Sequence, residues 1–162
     1  MYLQLIESCI NQNKMAIVLV PEISLTPQMV NRFLARFGES IAVLHSKLSI
    51  GERFDEWQKI KNGEVKIVIG ARSAIFAPVR YLGIIIIDEE HDMSYKSEMT
   101  PRYNAKEIAN YIARNNNCPL VLGSATPDIT SFYQAELGKI NLYKLTKRAN
   151  NSKLPSTKII DL

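Results

Sequence analysis

The sequence predicts an α/β fold in which helices cover a mostly parallel β-sheet. Two observations support this prediction. Strand patterns alternate with helix patterns along the chain, and the strand segments are short, almost wholly apolar runs, as expected of strands buried on both faces. In addition, each run is followed by a polar or turn-forming segment, and in parallel sheets such segments meet at one edge, where ligands bind.

Three helices are predicted in the first part of the chain. The first runs from residue 2, because apolar residues recur there at helical spacing. Thr26 and Pro27 begin the second, which ends at Gly38. Ser49 and Glu52 have the spacing of a capping box and begin the third. The residues predicted to face inward are Tyr2, Leu5, Ile6, Cys9, Ile10, Val30, Phe33, Leu34, Phe37, Ile50, Phe54, Trp57 and either Ile60 or the stem of Lys61.

Strands are predicted at residues 15–20, 41–45, 65–70, 82–88 and 119–123. Between the last two, Asn104 and Glu107 predict a helix that ends near residue 115. Asp128 begins another helix, which ends at Gly138 with Ile129, Phe132 and Tyr133 facing inward. Residues 141–145 suggest a last strand. We therefore expect one domain over residues 1–146, followed by a linker over residues 147–162.

The composition is that of a globular protein. The chain has 162 residues, of which 46% are hydrophobic and 22% charged. It has no apolar run of the roughly 18 residues that a membrane span needs and no secretory signal pattern. Its two distant cysteines, Cys9 and Cys118, fit a reduced, cytoplasmic protein. The net charge of +4 permits a polyanionic partner without requiring one.

An acidic cluster follows the most apolar strand. Four isoleucines lead into Asp88, Glu89, Glu90 and His91. An aspartate at the end of a buried strand is suited to hold Mg²⁺, and Glu89 would then polarise a water for attack on a γ-phosphate. His91 would form a hydrogen bond across the cleft. The alternative interpretation, a solvated turn or a helix start, carries equal weight when the cluster is considered alone.

A turn rich in small residues follows the next strand. It contains Ser124, Ala125 and Thr126 and ends at Pro127. The two hydroxyl groups could form hydrogen bonds to the acidic cluster, or they could satisfy only local backbone groups. The pair of motifs, one helix apart, is more specific than either motif alone.

At these residues the chain resembles the superfamily-two helicases: DEEH resembles their Walker B or DExH box, and GSATP their third motif. The segments LVPEISLTPQ (19–28), GARSAIFAP (70–78), DEEHDMSYK (88–96), PRYNAKEIA (101–109) and LGSATPD (122–128) resemble the primosomal replication-restart helicases. The resemblance covers almost the whole chain. It implies the first RecA-like P-loop NTPase domain, with three layers, of an ATP-dependent 3′→5′ DNA helicase.

The resemblance also implies roles for residues and partners. Asp88 would coordinate Mg²⁺ with ATP, Glu89 would activate water, and His91, Ser124, Ala125 and Thr126 would couple hydrolysis to DNA movement. Single-stranded and forked DNA, primosome proteins and single-strand-binding proteins are the implied partners, with no membrane. The implied location is the bacterial cytoplasm, in association with the nucleoid.

DNA is expected to contact the segments that follow the strands. Donors suited to phosphate oxygens and aromatic rings suited to stacking on bases occur there. These residues are Thr26, Gln28, Arg72, Ser73, Tyr95, Lys96, Arg102 and Tyr103. The alternative is that both tyrosines are half-buried and flank a helix. His45 is expected to be a strand-end residue, and Trp57 to lie in the core.

The sequence departs from the family pattern at one point. No G-x-x-x-x-G-K-S/T loop is present to bind phosphates. We therefore expect a truncated motor domain that lacks the Walker A strand, the second motor domain and the zinc module, so that zinc belongs only to the missing part. Such a chain is expected not to hydrolyse ATP alone. A strand lost from the middle of the sheet would also leave open edges and favour self-association.

Other functions stay open. The chain could be a single-stranded nucleic-acid-binding module that acts without nucleotide. It could be a DExH relative that unwinds RNA, which physical arguments do not exclude. A metallohydrolase that uses Asp88, Glu89, Glu90 and His91 as ligands is disfavoured, because adjacent residues at a strand end cannot all point to one metal.

Overall fold

A computed structural model describes residues 1–146 of the chain and places the predicted strands in one sheet. All five strands are parallel, in the order β2-β3-β1-β4-β5. The strands are β1 (Met15–Leu19), β2 (Ile41–Leu44), β3 (Ile67–Gly70), β4 (Leu82–Ile87) and β5 (Leu120–Leu122), and the helices are α1 (Tyr2–Asn11), α2 (Pro27–Phe37), α3 (Ile50–Asn62), α4 (Ala105–Asn115) and α5 (Ile129–Glu136).

The strands are continuous across the sheet, with β1 in the middle and β2 and β5 at the two edges. The two outer strands, β2 and β5, therefore have one unpaired side each among the described residues. The isoleucine strand β4 lies between β1 and β5, next to the middle rather than at it, and Ile85, Ile86 and Ile87 are all fully buried.

Two apolar clusters form the core, one on each face of the sheet. On one face Ile17, Leu19 and Ile85 pack with residues of α3 and α4. On the other face Val18 and Ile86 pack with residues of α1 and α2. Side chains alternate between the faces of a strand, so a wholly apolar strand fills both clusters. The result is the predicted three-layer arrangement.

Local signals at the helix ends act as predicted. The Thr26 hydroxyl accepts a hydrogen bond from Met29 N–H at the start of α2. Ser49 and Glu52 form the reciprocal capping box of α3, and Gly63 ends that helix in the left-handed conformation. Asn104 caps α4 by accepting from Lys106 N–H.

The predicted inward faces of α2 and α3 are partly wrong. Leu34 is exposed in α2. In α3 only Ile60 is fully buried, whereas Ile50, Phe54 and Trp57 are 89%, 58% and 38% exposed. The α3 helix lies beside the edge strand β2 and therefore buries a narrow stripe. Trp57 instead carries the Lys61 ammonium 5.2 Å from its ring centroid.

The same helix protects the edge of the sheet. Glu56 in α3 accepts a hydrogen bond from the outward-facing Val43 N–H of β2, at 3.2 Å. Its other carboxylate oxygen lies 2.6 Å from the Lys59 ammonium. A charged side chain thus accepts the hydrogen bond of a backbone N–H that would otherwise be unpaired on this edge strand.

The described chain divides into two units. Residues Met1–Asp128 form the first, which holds the sheet. The second begins at Ile129, and its described part contains α5, where Ile129 and Tyr133 are 87% and 56% exposed. The prediction that these two residues face inward is therefore wrong. Residues 141–145 are not a strand, and the predicted linker, 147–162, lies outside the described residues.

Among residues 1–146, none of the helices has the length and apolar character that a bilayer crossing requires.

Candidate nucleotide-hydrolysis site

The acidic loop, residues 88–92, begins where β4 ends at the carboxyl edge of the sheet. Asp88 N–H donates to Leu19 O of the neighbouring strand at 2.9 Å, which continues the β1–β4 ladder by one residue. Glu89 then adopts a positive φ of 46°. This left-handed conformation is uncommon for a residue with a side chain. It turns the chain sharply, so that successive carboxylates point in different directions.

The first three carboxylates of the acidic loop have different environments. Asp88 is half-buried and accepts a hydrogen bond from the Tyr2 hydroxyl at 2.9 Å. The side chain of Glu89 is 43% exposed and lies 3.7 Å from His91 Nδ1. Glu90 is buried and bonded to Lys106. The three acids therefore cannot serve as equivalent ligands of one metal ion.

The hydroxyl turn, residues 123–128, lies beside the acidic loop at the same edge. His91 Nδ1 is 2.7 Å from Ser124 Oγ, and His91 Nε2 is 3.5 Å from Thr126 Oγ1. Ser124 Oγ also accepts from Thr126 N–H at 3.0 Å. The structure thus brings His91, Ser124 and Thr126 together, as the sequence predicted. Ser124 Oγ takes part both in the long-range contact with His91 and in the local hydrogen bond with Thr126 N–H.

Main-chain hydrogen bonds fix the two segments side by side. Gly123 N–H donates to Ile87 O at 2.8 Å, and Glu90 N–H donates to Gly123 O at 3.0 Å. Ala125 lies exposed between the two hydroxyl residues.

Two tyrosines hold Asp88, and the sequence did not assign this role to either. The Tyr2 hydroxyl bonds the Asp88 carboxylate, and burial together with that carboxylate raises the pKa of Tyr2, so that it stays a neutral donor. The Tyr95 hydroxyl donates to Asp88 O at 2.6 Å, and burial raises its pKa as well. The helical spacing of Tyr2 predicted an inward face but gave no signal of its partner.

The burial of Tyr95 corrects one predicted DNA contact. Its side chain is 1% exposed, because it packs in the core beneath the acidic loop. A ring in that position has no free face for a base, so Tyr95 is removed from the candidate DNA interface.

Arg72 and Tyr103, two of the residues predicted to contact DNA, contact each other. Arg72 Nη1 donates to Ser94 O at 3.1 Å and also to Lys96 O, and its guanidinium lies 5.5 Å from the Tyr103 ring centroid. Tyr103 also meets Phe76 edge-to-face, at 5.1 Å between centroids. Arg72 therefore ties the segment after β3 to the segment after β4.

The other predicted DNA-contacting residues lie on the surface of the segments to which they were assigned. Thr26 uses its hydroxyl as the cap of α2, and Gln28 follows in the first turn of that helix. Five of them are exposed: Thr26, Gln28, Ser73, Lys96 and Arg102. His45 lies just after β2, and its Nδ1 is buried without a hydrogen-bond partner.

The segments after β1 and β2 are linked by an interaction that the sequence did not reveal. Glu22 Oε1 accepts from Ser46 N–H at 3.2 Å. Hydrogen bonds from Ser46 hold the pKa of Glu22 below its ordinary value. Glu22 thus connects the segments after β1 and β2, as Arg72 connects those after β3 and β4.

A divalent cation fits this edge only in one way. Among the described residues, no group of three or more His, Cys, Asp or Glu side chains is arranged to hold a metal ion. Mg²⁺ is commonly bound through one or two carboxylates together with phosphate oxygens and water. Asp88, half-buried at the open edge, suits that mode, whereas the donor set gives no support to the metallohydrolase alternative.

Comparisons with known proteins agree with the geometry. Residues 1–134 match the family model of the DEAD/DEAH box helicases. The chain is 56% identical over 161 residues to the replication restart protein PriA of Bacillus subtilis, covering 99% of this chain and 20% of that protein. It is 44% identical over 161 residues to the replication restart protein PriA of Treponema pallidum, covering 99% of this chain and 24% of that protein. The chain thus spans less than a quarter of the length of these curated relatives.

Among solved structures, the C-terminal domain of S. cerevisiae Dbp5 has a TM-score of 0.47 and 16% identity, with 78% of this chain and 71% of that chain covered. This similarity is too weak to support a conclusion about function.

Proposed function

This chain belongs to the DEAD/DEAH box helicase family, and from that premise we propose that it is part of an ATP-dependent 3′→5′ DNA helicase of replication restart and primosome assembly. Its five-stranded parallel sheet between two helical layers is an α/β fold of the RecA-like type. Helicases of this family generally use a nucleotide and Mg²⁺. The choice of ATP, and of DNA in place of RNA, is part of the proposal and is supported by the PriA relatives.

One observation carries the proposal: His91 Nδ1 lies 2.7 Å from Ser124 Oγ, at the edge where Asp88 and Glu89 follow β4. A hydrolysis site needs acidic groups at that edge, and a motor needs a contact that reports the state of the site to another segment. Both occur here within one small region.

The residues take distinct roles in this proposal. Asp88, oriented by the Tyr2 hydroxyl, would hold Mg²⁺, and the ion would supply charge neutralisation. Glu89 is exposed and accepts a proton from the attacking water. His91 transmits the occupancy of the site to Ser124 and Thr126.

DNA is proposed to run across the segments after β1, β3 and β4. Exposed donors there, among them Gln28, Ser73, Lys96 and Arg102, suit phosphate oxygens. Tyr103 is half-buried and stacked with Arg72 and Phe76, so it offers at most one edge to a base. Primosome proteins, single-strand-binding proteins and the nucleoid remain predicted partners and location.

The first experiment measures phosphate release by the 162-residue chain with and without single-stranded DNA. The sequence holds no phosphate-binding loop, so we expect no turnover by the chain alone. Robust ATP hydrolysis by the chain alone would contradict this expectation.

The second experiment measures binding of the chain to labelled single-stranded DNA at several salt concentrations. We expect weak binding whose affinity falls steeply with salt, and R102A should reduce the salt slope by about one. The matched control is R114A, which removes another exposed arginine, in the last turn of α4. Equal effects of the two variants would reject the proposed path.

A nucleotide-independent single-stranded nucleic-acid-binding module is the second candidate. It is favoured by one observation, that donors proposed for DNA, among them Lys96 and Arg102, are exposed. DNA affinity that is unchanged by ATP, in a longer chain that carries such a motif, would select this candidate.

A further inference from the structure

Glu90 is the one buried charged side chain among residues 1–146, at 2% exposure. Its two predecessors in the acidic loop face the open edge, whereas Glu90 points into the protein. A buried carboxylate loses its hydration and is stable only with charged or hydrogen-bonding partners. The location of those partners shows what the residue does.

The partners of Glu90 come from two other segments. Glu90 Oε2 lies 2.6 Å from Lys106 Nζ in the first turn of α4. Glu90 Oε1 accepts from Asp128 N–H at 2.7 Å, at the end of the hydroxyl turn. Lys106 Nζ is also 3.6 Å from Asp128 Oδ2, so the three charged groups form one cluster.

Glu90 also contacts the beginning of the hydroxyl turn. Its main-chain N–H donates to Gly123 O at 3.0 Å. A single residue is therefore bonded to both ends of the turn that carries Ser124 and Thr126, through its backbone at one end and its carboxylate at the other.

The lysine that completes the cluster is held by a rigid helix. Asn104 caps α4 and accepts from Lys106 N–H at 3.0 Å. Ala105 and Ala109 of the same helix are fully buried in the core cluster that also includes Ile85 and Ile87 of β4. The backbone of Lys106 is therefore held in a fixed position relative to β4, the strand that precedes the acidic loop.

We propose that Glu90 and Lys106 are positioning residues that hold the hydroxyl turn in register with the acidic loop, so that His91 meets Ser124. Neither residue touches substrate in this role. Replacing a buried ion pair by an apolar pair of similar size is often neutral for stability, so we assign this pair a role in geometry. The relevance of this pair to ATP hydrolysis rests on the proposed function, whereas its geometric effect does not.

The test uses imidazole nitrogen signals of the 162-residue chain, recorded without nucleotide or DNA. The chain has two histidines, so His45 serves as an internal reference for His91. In E90Q and in K106M we expect loss of the hydrogen-bonded His91 Nδ1 signal, while the His45 signals stay in place. K106R should restore the His91 signal, because a guanidinium also bonds a carboxylate.

Two further variants keep the test decisive. E7Q makes the same chemical change in an exposed ion pair with Arg36 and should leave His91 unchanged. K106M leaves a buried charge unpaired and can unfold the chain, so the double variant E90Q/K106M, which removes both charges, provides a folded alternative. A folded E90Q or double variant with the wild-type His91 signal would overturn the proposal.

A second measurement separates this inference from the proposed function. In a longer chain that also carries a phosphate-binding loop, E90Q should lower DNA-stimulated kcat by at least about tenfold while KM for ATP stays unchanged. An equal loss of kcat with and without DNA would reject a role in coupling. Failure of the longer chain to hydrolyse ATP would instead reject the proposed function and leave the His91 result intact.

Discussion

The two sides of the sheet at which its strands begin and end, the amino edge and the carboxyl edge, are built in different ways. At the carboxyl edge, the loops that follow the five strands make polar contacts with one another, such as Glu22 to Ser46, Arg72 to Ser94 and His91 to Ser124. At the amino edge, the contacts are close and largely apolar: Cys9 is buried, and its Sγ lies beside Gly83 of β4.

The difference shows where this fold requires accuracy and where it requires only tight packing. Polar contacts between loops are directional, so they fix the relative positions of side chains while contributing modestly to stability. Tight packing of thiols and methylene groups stabilises the fold without specifying such positions. Glycine substitutions compare the two edges directly. Gly70 and Gly123 at the carboxyl edge and Gly83 at the amino edge all lack room for a methyl group.

The largest effect is expected for Gly70→Ala at the carboxyl end of β3. An added Cβ would lie 2.3 Å from Leu44 O, a backbone atom that cannot move without breaking the sheet. We expect a loss of about 3 kcal/mol in the free energy of unfolding, measured by urea denaturation. Gly51→Ala in α3 is the control, since nothing lies within 4 Å of its added Cβ, and its stability should not fall. Similar stabilities of the two variants would contradict the close approach at Gly70.

Intermediate effects are expected for Gly83→Ala and Gly123→Ala, one at each edge. At Gly83 the added Cβ would lie 2.5 Å from Cys9 Sγ and 2.6 Å from Lys14 Cβ, so we expect a loss of about 2 kcal/mol. At Gly123 it would lie 1.5 Å from the Tyr2 hydroxyl, the end of a side chain that can turn away. The loss there should be about 1.5 kcal/mol, the lower end of the range for a hydrogen bond to a charged group such as the Asp88 carboxylate.

A second substitution identifies the cause at the carboxyl edge. In a Y2L background, Gly123→Ala should cost nothing further, because the obstructing hydroxyl and its hydrogen bond are already gone. If the alanine destabilises the Y2L chain as much as the wild type, Tyr2 is not the obstacle.

The smallest effect is a pH dependence at the amino edge. Burial raises the pKa of the Cys9 thiol above its ordinary value of 9.0, with Lys14 acting in the opposite direction. Below pH 9 the thiol is protonated in both states and contributes no pH dependence. Above pH 9 the unfolded chain releases the proton while the folded chain retains it, so stability should fall, by at most about 1.4 kcal/mol per pH unit. Comparing the slopes of wild type and C9S between about pH 8 and about pH 10 tests this. Identical slopes would rule out Cys9 as the source.

Much of the fold could be predicted from local patterns. The five apolar runs, the Ser49–Glu52 capping box and the Asn104 cap identified β1 to β5, α3 and α4 with small errors at their ends. The shared edge for His91 and Ser124 followed from the rule for parallel strands, and the structure confirms it.

The rest depended on contacts between distant residues. The burial of Tyr95 requires the Asp88 carbonyl as its partner, and the exposure of Ile50 and Phe54 follows from the place of α3 beside an edge strand. Likewise the Lys106 ammonium contacts Glu90 of the acidic loop only because α4 packs against β4. Periodicity along one segment contains no information about which segment covers it.

The carboxylate of Glu56 also limits how copies of this chain can assemble. A strand from another molecule that approached β2 would have to displace a group already bonded to Val43 N–H and to the Lys59 ammonium. Extension of the sheet into intermolecular ribbons is therefore discouraged on that flank.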